Sequence, residues 1–154
     1  MQRSLIDPDR DCPNCSRLAE FREQYRNSNP DWHNAPVPSW FPSEKNGGKA
    51  SVKVLVVGLA PGLKGANRTG RPFTGDFAGD LLYDTLVKFD LAEGRYGADP
   101  HDSLKLLSCG ITNAVRCVPP QNKPVGAEIN ECRPFLINTL QACLLYTSPS
   151  PRDA

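Results

Sequence analysis

The stretch that most constrains the fold runs from Val52 to Asp80, VKVLVVGLAPGLKGANRTGRPFTGDFAGD. It opens on Val52–Val57, an apolar run broken only by Lys53, the composition expected of a strand covered on both faces. Gly58 ends the run, Ala60-Pro61-Gly62 turns the chain, and six glycines fall from Gly58 to Gly79. Glycine lets backbone come close to a ligand. A loop leaving the carboxyl end of a buried strand sits where open α/β folds bind ligands. A loop this long and this rich in glycine points to function rather than to an ordinary strand-to-helix connection.

The rest of the chain bounds what such a loop can serve. At 154 residues it has the length of one domain with one core. A net charge of +1 gives no global field to gather nucleic acid and leaves only a local basic patch for that purpose. No apolar run approaches the roughly 18 residues of a membrane span, and no apolar segment follows a basic start as in a secretory leader. A cytoplasmic, bacterial-type, monomeric protein with no membrane partner is expected.

In chain order, Arg17–Tyr25 reads as a short helix with Leu18, Phe21 and Tyr25 on one face. Asn27–Gly48 is irregular backbone anchored by Trp32, Trp40 and Phe41. The pattern beyond the glycine loop predicts a helix over Gly79–Phe89, with Leu81, Leu82, Leu86 and Phe89 inward, and a second buried strand within Leu106–Val115. Three prolines forbid a regular helix in Arg116–Val125. A last helix is expected over Ala127–Gln141, with Ile129, Phe135, Leu136 and Leu140 inward and Pro134 as the candidate for its true start. From Cys143 the text turns abruptly into CLLYTSPSPRDA, which reads as a non-native tail. Residues 1–142 are then the N-terminal part of a single domain, and two strands alone make a poor sheet.

Cys12-Pro-Asn-Cys15 has the spacing that lets two thiolates meet one metal centre. With Cys117 and Cys132 it makes four sulfurs, a set that suits either structural zinc or an iron–sulfur cluster. Cys109, in the middle of the second strand, reads as a small buried hydrophobe.

GLAPGLKGANRTGRPFTGDFAGD, then ITNAVRCVPPQNKP, then ECRPFL, together with the N-terminal CPNC, resemble the uracil-DNA glycosylases of the iron–sulfur type, nearest to family 5, the type B enzymes. The likeness covers roughly Cys12 to Leu140. It implies a three-layer α/β/α sandwich with a central parallel sheet, incomplete in this chain. It also implies excision of uracil, and of other deaminated bases, from DNA. It favours a [4Fe–4S] cluster over zinc at Cys12, Cys15, Cys117 and Cys132.

Such an enzyme flips the nucleotide out of the duplex and holds the base in a pocket. Backbone N–H groups of Gly58, Ala60, Pro61's neighbours and Gly62 are expected against the departing uracil anion. By the same likeness Phe73 stacks on the flipped ring, Asn113 and Asn122 are alternative readers of the base edge, and Asp76 positions water or steadies the sugar cation. Helix N-cap is the competing role for Asp76, core anchor for Phe73, and loop capping for the two asparagines. Asn67, Arg68 and Arg71, with Lys64, Arg116 and Lys123, are candidates to meet phosphates. Ala60 stands where several related families carry a polar water-orienting residue, a lack shared by the type B enzymes. His33 and His101 read as loop residues, and neither lies in the family's later histidine motif. The chain as written is therefore expected to have little activity of its own. The competing reading is a non-catalytic, zinc-bound nucleic-acid-binding module.

Overall fold

The structure, a computed structural model, describes residues 5–143. The elements in order are α1 (Ser16–Ser28), β1 (Val54–Gly58), α2 (Ala66–Thr69), α3 (Phe77–Lys88), β2 (Ala92–Glu93), β3 (Lys105–Leu106), β4 (Cys109–Asn113) and α4 (Gly126–Ala142). Short 3₁₀ turns occupy Glu44–Asn46, Gly48–Ser51 and Pro120–Asn122. The fold is α/β, as expected, with β1 and β4 paired in parallel from Val54 opposite Cys109 to Gly58 opposite Asn113. β2 and β3 form a separate antiparallel pair. Apart from Cys143, the residues expected to be a non-native tail lie outside the described range.

β4 is the central strand. Its free side exchanges two hydrogen bonds with Trp40, each 2.8 Å between Trp40 and Ile111. All five of its residues are buried. The core gathers on one face of this pair, where Tyr83 and Leu86 of α3 meet Ala92, Leu104, Leu106, Cys109 and Ile111. Cys109 is fully buried there, a small apolar filler as its position in the sequence suggested.

Four local expectations are corrected. β1 is not fully covered: Val54 and Val57, on opposite faces of the strand, are 42% and 45% exposed, and β1 pairs with β4 along one edge only. The second strand is broken, since Ser108 takes a positive φ of 55° and separates β3 from β4. α3 turns Gly79, Tyr83 and Leu86 inward, while Leu81 and Phe89 are 73% and 65% exposed. Tyr83 won that face because its hydroxyl reaches the Pro72 carbonyl across the core. α4 runs unbroken through Pro134 instead of starting there. Proline removes one hydrogen bond to the carbonyl four residues back, but Asn130 and Pro134 both lie on the exposed side of the helix, where water replaces the lost donor. The helix starts earlier because Glu128 accepts the Val125 N–H at 2.9 Å, one half of a capping box.

Candidate active site and cysteine pocket

The carboxyl ends of β1 and β4 lie side by side, Gly58 opposite Asn113. The loop after β1 and the start of α3 fold over that edge and enclose a cavity of about 250 Å³. Ala60, Pro61, Gly62, Phe73, Asp76, Asn113 and Asn122 all line it. These come from four places in the chain that share no local pattern. Ala66 and Ala78 complete the wall; their small size marked neither of them in the sequence.

Gly58 stands behind the wall instead of in it. A β-carbon at this position would lie 2.4 Å from Asn113 Oδ1 and 2.5 Å from the Phe73 ring. The missing side chain is thus the space that these two occupy. Gly65 does the same for Asp76, whose Oδ2 would be 2.4 Å from an added β-carbon. Phe73 adopts a positive φ of 53°, packs one side of its ring on the core and lines the cavity with the other.

Asp76 has the extended backbone of an N-cap before α3, yet its side chain makes no capping bond. Its Oδ1 is buried and has no hydrogen-bond partner among the described residues, and the same holds for Asn113 Oδ1. Buried polar atoms are nearly always paired, so two orphaned acceptors in one cavity call for a ligand that donates to them. Gln121 and Asn122 both take left-handed backbone, φ 57° and 59°, uncommon for glutamine and better tolerated by asparagine, and Asn122 sits at the rim. Among the described residues, the backbone N–H groups of Ala60 and Gly62 bond to no carbonyl.

The loop is clamped from behind. Arg71 forms two 2.9 Å hydrogen bonds with the Asp102 carboxylate and one of 2.8 Å from Nε to Thr74 Oγ1. Its guanidinium lies 4.5 Å from the centre of the Trp40 ring. Tyr96 Oη accepts the Gly75 N–H at 3.0 Å. Burial pushes the Asp102 carboxyl up, but the Arg71 hydrogen bonds and the N–H groups of Gly97 and Leu104 outweigh it and hold its pKa below the ordinary value. Asp102 had no signal in the sequence, since it lies outside every motif and becomes relevant only through the fold.

Burial corrects three phosphate candidates. Arg71 is buried in its ion pair and presents nothing to a phosphate. Asn67 is buried as well, donating at 3.1 Å to Asn34 Oδ1 and so fastening α2 to the loop before β1. Arg116 is fully buried; it donates to the Asn113 carbonyl and Thr139 Oγ1, each at 2.9 Å, and pairs with Asp7. Lys64, Arg68 and Lys123 remain exposed. His33 is a loop residue, its Nε2 at 3.0 Å from the Pro36 carbonyl, and His101 sits exposed in the loop before β3.

Cys12, Cys15, Cys117 and Cys132 line one pocket between α1, α4 and the segment after β4. None is in a disulfide. Among the described residues no three metal-ligating side chains are gathered tightly enough to hold a single ion. Burial, with the neighbouring thiols and acidic groups, pushes Cys15 up to about 11; burial pushes Cys117 to about 12 despite the opposing pull of Arg22. The pocket also contains Arg22, whose guanidinium touches no carboxylate among the described residues. An arginine stays charged in a protein, and a buried cation needs an opposing charge. Four deprotonated thiols around an inorganic centre supply it, so this donor set fits a thiolate-bound metal group.

Comparison with known proteins agrees with this geometry. The chain is 35% identical over 135 residues to a type-5 uracil-DNA glycosylase of Pyrobaculum aerophilum, covering 85% of this chain and 57% of that protein. It is 40% identical over 132 residues to the type-5 enzyme of Mycobacterium leprae, covering 81% and 54%. With the Thermus thermophilus type-5 enzyme it shares 39% identity over 121 residues, covering 79% and 54%. The chain thus spans about half the length of the curated relatives it matches. A sequence profile of the uracil DNA glycosylase superfamily matches residues 45–147, which contain the whole of the cavity wall, and the chain belongs to that superfamily.

Proposed function

We propose that this chain carries the base pocket of a DNA-repair glycosylase that removes uracil from DNA and leaves an abasic site. The observation that carries the reading is the pair of orphaned acceptors, Asp76 Oδ1 and Asn113 Oδ1, in one cavity walled by Phe73. Uracil offers an N3–H donor where cytosine has a bare nitrogen, so Asn113 Oδ1 accepts from the first and repels the second. Hypoxanthine and xanthine also present a ring N–H beside a carbonyl, which extends the substrate class to deaminated purines. Asn122, at the rim, takes the second contact to the base, and Phe73 stacks on the ring.

The bond from sugar C1′ to the base breaks with its electron pair leaving on uracil. The Ala60 and Gly62 N–H groups face the charge that builds on the uracil oxygen. Positive charge builds on the sugar, where the Asp76 carboxylate opposes it, orients the attacking water and accepts a proton as that water adds to C1′. Lys64 and Arg68, exposed beside the loop, meet backbone phosphates of the DNA.

Cys12, Cys15, Cys117 and Cys132 would hold a [4Fe–4S] cluster, which when bound serves as a staple between α1 and α4. Residues 1–142 form the N-terminal part of one glycosylase domain, a reading supported by the chain spanning only 54–57% of the relatives it matches. The competing zinc-bound binding module has no support from the relatives and leaves the two orphaned acceptors unexplained.

The test is single-turnover release of uracil from a duplex by the protein comprising this chain and the remainder of its domain. Asp76→Asn is expected to slow release by on the order of 10²-fold or more, the usual worth of a positioned proton acceptor. Release at the parent rate would remove Asp76 from the mechanism.

A further inference from the structure

The cysteine pocket holds a charge that the four thiols do not explain. Arg22, on α1, is only 5% exposed. Its Nη2 donates to the Cys12 carbonyl at 3.1 Å and its Nη1 points at Cys117 Sγ, 3.6 Å away. Its Nε is buried and has no hydrogen-bond partner among the described residues. No carboxylate among the described residues lies within ion-pair distance of it. Leaving a guanidinium sealed beside neutral thiols is unfavourable, and it cannot shed its proton to escape. A helix facing a purely structural pocket would carry an apolar residue here, as it does at Leu18, one turn earlier on the same pocket wall.

We propose that Arg22 is a positioning residue for the thiolate centre, donating a charge-assisted hydrogen bond to the Cys117 sulfur and offsetting the centre's negative charge. The inference rests on the iron–sulfur reading given above. Four thiolates carry four negative charges and a [4Fe–4S] core returns only part of them, so the bound centre is anionic. Adding an electron makes it more so. A fixed cation against one sulfur therefore favours the reduced form and raises the reduction potential, one of the known levers on such centres. The contact would also hold Cys117 Sγ in place and so slow loss of the centre to a chelator.

The experiment reconstitutes the protein anaerobically with iron and sulfide and compares it with Arg22→Gln and Arg22→Lys. Two quantities are read: the midpoint potential by optical titration, and the rate at which a chelator bleaches the visible band. Arg22→Gln is expected to move the midpoint to more negative values and to bleach severalfold faster. Arg22→Lys keeps the charge without the planar fork, so it should recover most of the midpoint and less of the chelator resistance. A wild-type protein that takes up zinc and no iron and sulfide would overturn the cluster reading itself. A wild-type cluster whose Arg22→Gln form shows the same midpoint and bleaching rate would overturn the role of Arg22 alone.

Discussion

Gly58 is worth most by what it leaves out. Its α-carbon supports both the amide of Asn113 and the edge of Phe73, and one methyl there would stand 2.4 Å from the first and 2.5 Å from the second. The Asn113 backbone is fixed by the Arg116 bond to its carbonyl and Phe73 is backed by the core, so the direction left to the two side chains is into the cavity. Gly58→Ala should therefore push the Asn113 amide and the Phe73 ring into the cavity that is proposed to seat the base. Overpacking of this kind typically destabilises by about 1–3 kcal/mol, which leaves a folded domain. In the protein comprising this chain and the remainder of its domain, the expected outcome is a folded protein whose melting falls by several degrees, with a large loss of uracil excision and of affinity for an abasic-site duplex. Parental excision kinetics in a folded Gly58→Ala protein would mean that the cavity does not seat the base. Gly65→Ala should produce the same separation through Asp76, whose Oδ2 fills the place of the absent β-carbon.

The element that sets the site is the loop from Gly70 to Asp76, and its rigidity comes from a partner far along the chain. Arg71 and Asp102 are both buried, 6% and 8% exposed, and joined by two hydrogen bonds. Removing one partner of such a pair strands the other charge and usually costs about 3–5 kcal/mol, so Asp102→Ala should unfold at markedly lower denaturant concentration. The pH dependence has a definite sign. Asp102 ionises in the folded chain below its ordinary value of 3.8, so its contribution is fully present above that value and fades as pH falls through the folded pKa. The stability difference between the parent and Asp102→Ala should shrink on acidification below about pH 4; a difference constant down to pH 2 would argue against the pair. This loop also marks how far the sequence could be read. The strand end, the glycines and the order of Phe73, Asp76, Asn113 and Asn122 are local text, and all four side chains do share one cavity. Arg71 looked like a surface cation because its partner lies 31 positions away, and no local pattern encodes that meeting. Leu81 and Phe89 were misread for a related reason. Helical periodicity fixes which residues share a face, but a tyrosine whose hydroxyl finds a buried carbonyl can outcompete leucine for the inward one.

At the scale of the whole molecule, two sites share one frame. Arg116 binds the Asn113 carbonyl at the base cavity, and Cys117 follows it directly into the cysteine pocket. On the other side of that pocket, α1 reaches α4 through Arg17, whose two hydrogen bonds to Glu128 measure 2.7 and 2.9 Å, but Arg17 is 41% exposed and solvent weakens the pair. The proposed inorganic centre would then be the main tie between α1 and α4. Its removal should loosen α1 and the segment before it while the sheet-side cavity persists, because β1, β4 and α3 have their own core around Tyr83 and Ile111. Hydrogen exchange measured before and after chelation checks this. Amides of Ser16–Ser28 should lose protection, whereas those of Val54–Gly58 and Cys109–Asn113 keep theirs. Uniform loss across both groups would mean that the centre holds up the entire fold, and no change in α1 would mean that it holds up nothing. The thiols freed by chelation are pushed up to about 11 at Cys15 and about 12 at Cys117, so they take up protons at neutral pH. Binding of the centre must release those protons. Reloading should accordingly become more favourable as pH rises, and retention should weaken as pH falls.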